Sequence, residues 1–249
     1  MRKKLAVLVL AGMVILQGAV GSPLTDSFSF LNENSQFVNL VDAIKKDGDL
    51  DQACRIRDSL VSATDKTTEQ TIIEIRSATL LSRLCVELPT KDDALIKSLL
   101  KEAEAKLKGL EDQRFITFIL KSDIDAVWYL LNPRNLGKGI SSSKQINKAY
   151  AEFPNEISSL LLKANSMLYA PSFAGGDIKK ALNMYLDILK RGESILSPWD
   201  RSSLYSGIGI ACYKLKDFTN AKGYLAAAKA MYPFDSLLDE YIALLEKEL

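Results

Sequence analysis

Histidine is absent from this 249-residue chain, and cysteine occurs only at Cys54, Cys85 and Cys212. Without histidine a protein lacks the commonest general base, the base of the usual catalytic triad and the commonest metal ligand. A serine hydrolase built from this sequence would need a lysine base, and no strained strand-to-helix serine turn is encoded. The cysteines are widely spaced and odd in number, so they outline neither a disulfide framework nor a zinc cluster. They read as small buried apolar residues, with one disulfide left open by the export reading below. An excess of either charge is also missing: 32 Lys and Arg face 31 Asp and Glu. That balance does not steer the chain toward nucleic acid or an acidic membrane.

Strand-like alternation is not evident, and the one long apolar run lies at the start. Arg2, Lys3 and Lys4 precede Leu5 to about Leu16, and the small residues Ala19 and Gly21 follow. This is the pattern of an export signal over residues 1–21, cleaved before Ser22. A single uncleaved membrane anchor is the competing reading, because the whole segment is nearly long enough to span a bilayer. The mature chain is expected outside the cytoplasmic membrane, in the periplasm of a double-membraned cell. Once the three early cations are removed, its charge stays close to neutral.

From residue 22 onward, apolar residues repeat at three and four positions, as a helix face turned to a core requires. The pattern predicts helices over Gln36–Lys46, Leu50–Thr64, Glu69–Leu88, Lys91–Lys108, Asp112–Leu131 and Ser142–Phe153. Further helices are expected over Asn155–Ala170, Asp177–Gly192, Arg201–Leu215, Phe218–Met231 and Ser236–Glu248. The expectation is one all-α domain over 22–249, with five antiparallel pairs and a closing helix. "SFAGG", Ser172 to Gly176, reads as an enlarged turn before a helix that Asp177 caps, rather than as a phosphate cradle.

The clearest internal unit runs from Ser202 to Asp235. Tyr205, Ile208, Gly209 and Cys212 lie on its first helix, with Phe218, Ala221, Leu225 and Ala228 on its second, and Pro233 ends it. With small residues at Gly209, Ala221 and Ala228 and large apolar ones between, the unit resembles the tetratricopeptide repeat family. The likeness extends more loosely over 111–249, while 22–110 reads as degenerate helix pairs. It implies an αα-superhelix that presents a groove to protein or peptide partners. The Pro-flanked Gly-Gly loop is similar to loops of exported members that accompany TRAP-type solute transporters. The corresponding alternative function is an accessory that binds a small ligand or a solute receptor.

Carried onto this sequence, the family's groove positions are Ser203, Ser206, Ile210, Tyr213 and Lys214. Tyr129 and Tyr169, each just before a proline-containing connection, are candidates for the rim of a recess. No cofactor or metal is implied, and a homo-oligomer is left open. A glycan-cleaving enzyme would need two convergent carboxylates. The nearby pairs Asp123/Asp125 and Glu102/Glu104 are two apart on a helix and diverge. The sequence therefore reads as a non-catalytic binding or assembly module of the cell envelope.

Overall fold

A computed structural model of the chain describes residues 22–62, 67–89 and 91–248; the predicted export signal over 1–21 lies outside them. The described chain is all-α, with twelve α-helices and no strand beyond a single bridge between Thr25 and Glu156. They are α1 (Phe30–Glu33), α2 (Ser35–Asp42), α3 (Leu50–Val61), α4 (Thr68–Glu87), α5 (Asp93–Leu107) and α6 (Arg114–Leu131). After these come α7 (Leu136–Glu152), α8 (Ile157–Tyr169), α9 (Ile178–Gly192), α10 (Pro198–Lys214), α11 (Phe218–Met231) and α12 (Ser236–Glu246). Among the described residues, no helix is long and apolar enough to cross a membrane.

Short polar side chains set most helix starts by accepting the first free backbone N–H groups. Asp49, Asp92, Asp177, Asp217 and Asp235 do this for α3, α5, α9, α11 and α12. Ser197 caps α10, where Pro198 takes the first helical position and forfeits no hydrogen bond. For this reason α10 begins three residues before the expected Arg201. At α7 the difference is larger. This helix begins at Leu136 rather than Ser142 and runs through Gly137 and Gly139. A Cβ at Gly139 would lie 3.2 Å from the Tyr129 ring, so that glycine serves close packing of α6 and α7 rather than a loop. The first predicted helix is also divided. A wide π-type turn over Ala43–Asp47 follows α2 and ends at Gly48, whose φ is +62°.

Successive helices α4/α5, α6/α7, α8/α9 and α10/α11 pack as pairs, and neighbouring pairs stack. Their buried faces form two cores. The first, centred on α2–α6, includes Leu40, Ile75, Leu81, Leu100 and Leu120; the second, centred on α8–α12, includes Tyr185, Ile208 and Leu225. Each core borrows from the far end of the chain: Tyr232 packs in the first and Leu24 in the second. Hydrogen bonds fasten the same places. Thr25 N–H donates to Asn155 O at 2.9 Å, Ile157 N–H to Thr25 O at 3.0 Å, and Phe234 N–H to Lys45 O at 2.8 Å. The helix array thus closes on itself.

Within the best repeat unit, α10 is held tightly on two sides. A Cβ at Gly207 would sit 2.5 Å from the Tyr185 ring of α9, and one at Gly209 would sit 2.8 Å from Leu225 Cγ of α11. Gly209→Ala is expected to destabilise by about 1–3 kcal/mol through overpacking, lowering the melting midpoint by roughly 2–12 °C. Thermal denaturation followed by circular dichroism measures this, and an unchanged midpoint would contradict the close approach. All three cysteines are free thiols; Cys85 and Cys212 are buried and Cys54 is half-buried.

Candidate functional site

Closure leaves a chamber of about 330 Å³ between the two cores. That lies within the range of small-molecule sites, about 300–1,000 Å³. Its wall comes chiefly from the first helix of each pair, as Arg83 of α4, Ile119 of α6, Asn165 of α8 and Ser206 of α10 illustrate. A side pocket of about 170 Å³ adjoins it, walled by the N-terminal segment and more apolar. Arg76, Trp199, Asp200 and Tyr232 line both spaces.

The charged groups of the chamber are mostly engaged. Arg76 Nη1 bonds Asp123, and the guanidinium carbon lies 5.6 Å from the Phe28 ring centroid. Lys45 reaches Asp235 at 4.0 Å and stands 5.7 Å from the Trp199 ring centroid. Asp235 also accepts the N–H groups of Leu237 and Leu238. Asp200 accepts the Ser197 hydroxyl at 2.6 Å. Arg83 and Glu87, one turn apart on α4, form no hydrogen bond or ion pair with any described residue.

Other polar groups are aimed by what lies behind them. Tyr185 is fully buried, so its hydroxyl needs a partner. It donates to Asn165 Oδ1 at 2.6 Å, which fixes the amide and leaves the Nδ2 donors without a bonded partner on the chamber wall. The hydroxyls of Ser158, Ser203 and Ser206 also line the chamber. Arg76 Nε is buried with no partner.

Three carboxyls at these spaces are shifted the same way. Burial pushes up Asp26, Glu87 and Asp200, and for Asp200 it outweighs the Ser197 hydrogen bonds and the Arg76 charge. A carboxyl that holds its proton more tightly folded than unfolded gains stability for the native state as pH falls from neutral toward the carboxylate range. Asp200→Asn, which keeps an acceptor for Ser197, is therefore expected to stabilise the protein at pH 7.5 and to flatten part of its rise in stability toward pH 5. Urea midpoints at the two pH values test this. An unaltered slope in the variant would show that Asp200 is not the proton-binding group.

The predicted site residues fall in different places. Ser203, Ser206 and Tyr169 line the chamber, with Tyr169 at its exposed margin. Ile210 is fully buried in the second core and so offers nothing to a groove. Tyr213 packs tilted against Phe218 and edge-on against Tyr241, with ring centroids at 5.9 and 5.5 Å. Lys214 donates to Leu168 O at 3.2 Å and stands 5.3 Å from the Tyr169 ring centroid, so it steadies the margin from behind. Tyr129 packs on α7 at Gly139. Asp123 and Asp125 diverge as expected: Asp123 meets Arg76, and Asp125 meets Lys138 on α7. Among the described residues, no cluster of three potential ligands could hold a metal ion.

Sequence reasoning did not find Arg76, Arg83 or Asn165. The available signal for α4 was the spacing of Arg76, Arg83 and Glu87 at i, i+7 and i+11, one helical face. Comparison with protein-family models, with curated proteins and with solved structures finds no match to the chain.

Proposed function

We propose that this protein is a non-catalytic, exported binding protein that encloses a small molecule within its closed helix array. The observation that carries the reading is the chamber itself, lined by first helices on which the Ser203 and Ser206 hydroxyls, the Asn165 Nδ2 group and the Arg83 guanidinium have no hydrogen-bond partner among the described residues. Its volume of about 330 Å³ supports a small ligand, as in the solute-accessory reading, over an extended peptide. The engagement of Asp123 and Asp235 in holding the wall supports binding over glycan cleavage, which needs two free convergent carboxylates.

Native mass spectrometry of the purified protein, followed by denaturation, tests the reading. The expected result is stoichiometric release of one class of small molecule. Ser206→Trp, which fills the chamber from α10, is expected to abolish that release while keeping a wild-type circular dichroism spectrum. Equal release from the two proteins would overturn the assignment to the chamber.

A second reading, contact with a protein such as a solute receptor, is favoured by Phe173, 92 % exposed on the enlarged turn beside Tyr169. A photo-crosslinker at position 173 is expected to capture one discrete protein that a crosslinker at exposed Lys222 does not. Equal capture at both positions would remove this reading.

A further inference from the structure

We propose that the side pocket is a second binding site, for a small primary alkylammonium ion whose nitrogen bonds Asp26 and Asp200. The pocket holds about 170 Å³, less than the roughly 300 Å³ at which common small-molecule sites begin, so it suits a ligand of few atoms. Phe28, Leu31, Phe37, Val41 and Leu80 give it an apolar wall, and Asp26 and Asp200 are its carboxyls. Asp26 precedes α1 and Asp200 lies in the first turn of α10, so they share a pocket only because the array closes. Each commits one oxygen locally: Asp26 accepts the Phe28 N–H at 2.9 Å, and Asp200 accepts the Ser197 hydroxyl at 2.6 Å. The second oxygen of each has no hydrogen-bond partner, and neither carboxyl forms an ion pair, among the described residues.

The charge balance around this pocket is negative. Arg76 lines it but bonds Asp123, and the neighbouring Lys45 and Lys46 pair with Asp235 at 4.0 Å and Asp42 at 2.8 Å. Each of these cations thus has a carboxylate of its own, whereas Asp26 and Asp200 have no cation. Burial raises both carboxyls, and the Asp200 charge raises Asp26 further; the chain's hydrogen bonds and the Arg76 charge do not offset this. A half-buried carboxylate without a counter-charge is unfavourable, and a bound ammonium ion removes that cost by supplying both charge and donors. Arg76, Lys45 and Lys46 already stand over the Phe28, Trp199 and Tyr232 rings at 5.6, 5.7 and 5.9 Å. That favours an ion held by hydrogen bonds over a quaternary one held in an aromatic cage. Among the described residues no cluster of three ligands completes a metal site, and the apolar wall matches a ligand with a hydrocarbon part.

Isothermal titration of the purified protein with propyl-, butyl- and isoamylammonium, each against the alcohol of the same carbon skeleton, isolates the charge. At least one ammonium ion is expected to bind roughly tenfold or more tightly than its alcohol, in line with hydrogen bonds between charged groups. Asp26→Asn and Asp200→Asn each keep the local acceptor and are expected to lose most of that margin while the circular dichroism spectrum stays that of the wild type. Equal binding of ammonium ions and alcohols, wild-type binding by either Asn variant, or no binding of any of the three ions would each overturn the proposal. Val38 of α2 lines the side pocket and not the chamber, so Val38→Trp fills one space and leaves the other. It is expected to abolish ammonium binding and to leave the release of a chamber ligand in native mass spectrometry intact. Ammonium binding that persists in a folded Val38→Trp would place the ion elsewhere and overturn the assignment. The titration reads the side pocket alone, so failure of the chamber reading would leave this result standing.

Discussion

Gly48→Ala is expected to lower stability by about 2–5 kcal/mol, a drop in melting midpoint of roughly 4–20 °C for a chain of this length. Two separable costs combine. Gly48 has φ at +62°, in the left-handed region where a Cβ costs about 1–2 kcal/mol. The same Cβ would also lie 2.4 Å from the Phe234 ring, closer than any van der Waals contact, adding about 1–3 kcal/mol of overpacking. A double-mutant cycle apportions them. Adding Phe234→Ala to Gly48→Ala should recover the overpacking part and leave the backbone part, so the two changes together cost less than the sum of each alone. Strict additivity in thermal or urea unfolding would show that the ring does not press on this turn.

Asp125→Ala is expected to cost about 2–4 kcal/mol at neutral pH, toward the lower end of what breaking a buried pair costs, because Lys138 keeps a second partner. Asp125 projects from α6 with its side chain 1 % exposed and accepts from Lys138 Nζ at 2.8 Å and Ser141 Oγ at 2.6 Å. Lys138 also reaches Glu104 at 2.8 Å, and Trp128 Nε1 donates to the same Glu104 oxygen at 3.0 Å. The network thus ties α5, α6 and α7 together. Burial opposes the Asp125 charge, yet the hydrogen bonds from Lys138 and Ser141 together with the charges of Lys121 and Lys138 outweigh it and hold the carboxyl below its ordinary range.

A depressed carboxyl contributes stability that is present above its unfolded value, about 3.9, and is lost as pH falls through the folded one. The destabilisation by Asp125→Ala should therefore be full at pH 7 and shrink below about pH 4. Chemical denaturation across that range measures it. A gap between variant and wild type that stays constant down to pH 2 would exclude the ionised Asp125 as its source. This window lies below the one in which Asp26, Glu87 and Asp200 act, and its slope has the opposite sign.

Local chemistry made much of the helix plan legible. Asp49, Asp177 and Asp217 announce their helices because a short carboxylate before an apolar-periodic run has few better uses than a cap. Gly137 and Gly139 misled the reading of α7, since a glycine that ends a helix and one that lets two helices touch look alike in one dimension. Ser203 and Ser206 were legible as inward-facing residues of a repeat's first helix. Ile210, one turn further on, occupies the same face but is fully buried, and Tyr241 of α12 meets its neighbour Tyr213. The closing helix thus covers the end of the groove that the repeat pattern would leave open. Arg83 and Asn165 were out of reach for another reason. They are 82 positions apart and share a wall only once the array has closed.

That closure also bears on how the molecule comes apart. In an open stack of helix pairs each unit depends only on its neighbours, and the outermost ones fray first. Here Lys45–Phe234 and Thr25–Asn155 make early and late segments neighbours, and Leu24 and Tyr232 sit in each other's half. Neither end of the described helix array is then a free place from which loss of structure can spread. Slow amide exchange should accordingly appear in both halves with a common free energy of opening, as one cooperative unit rather than a gradient from the ends.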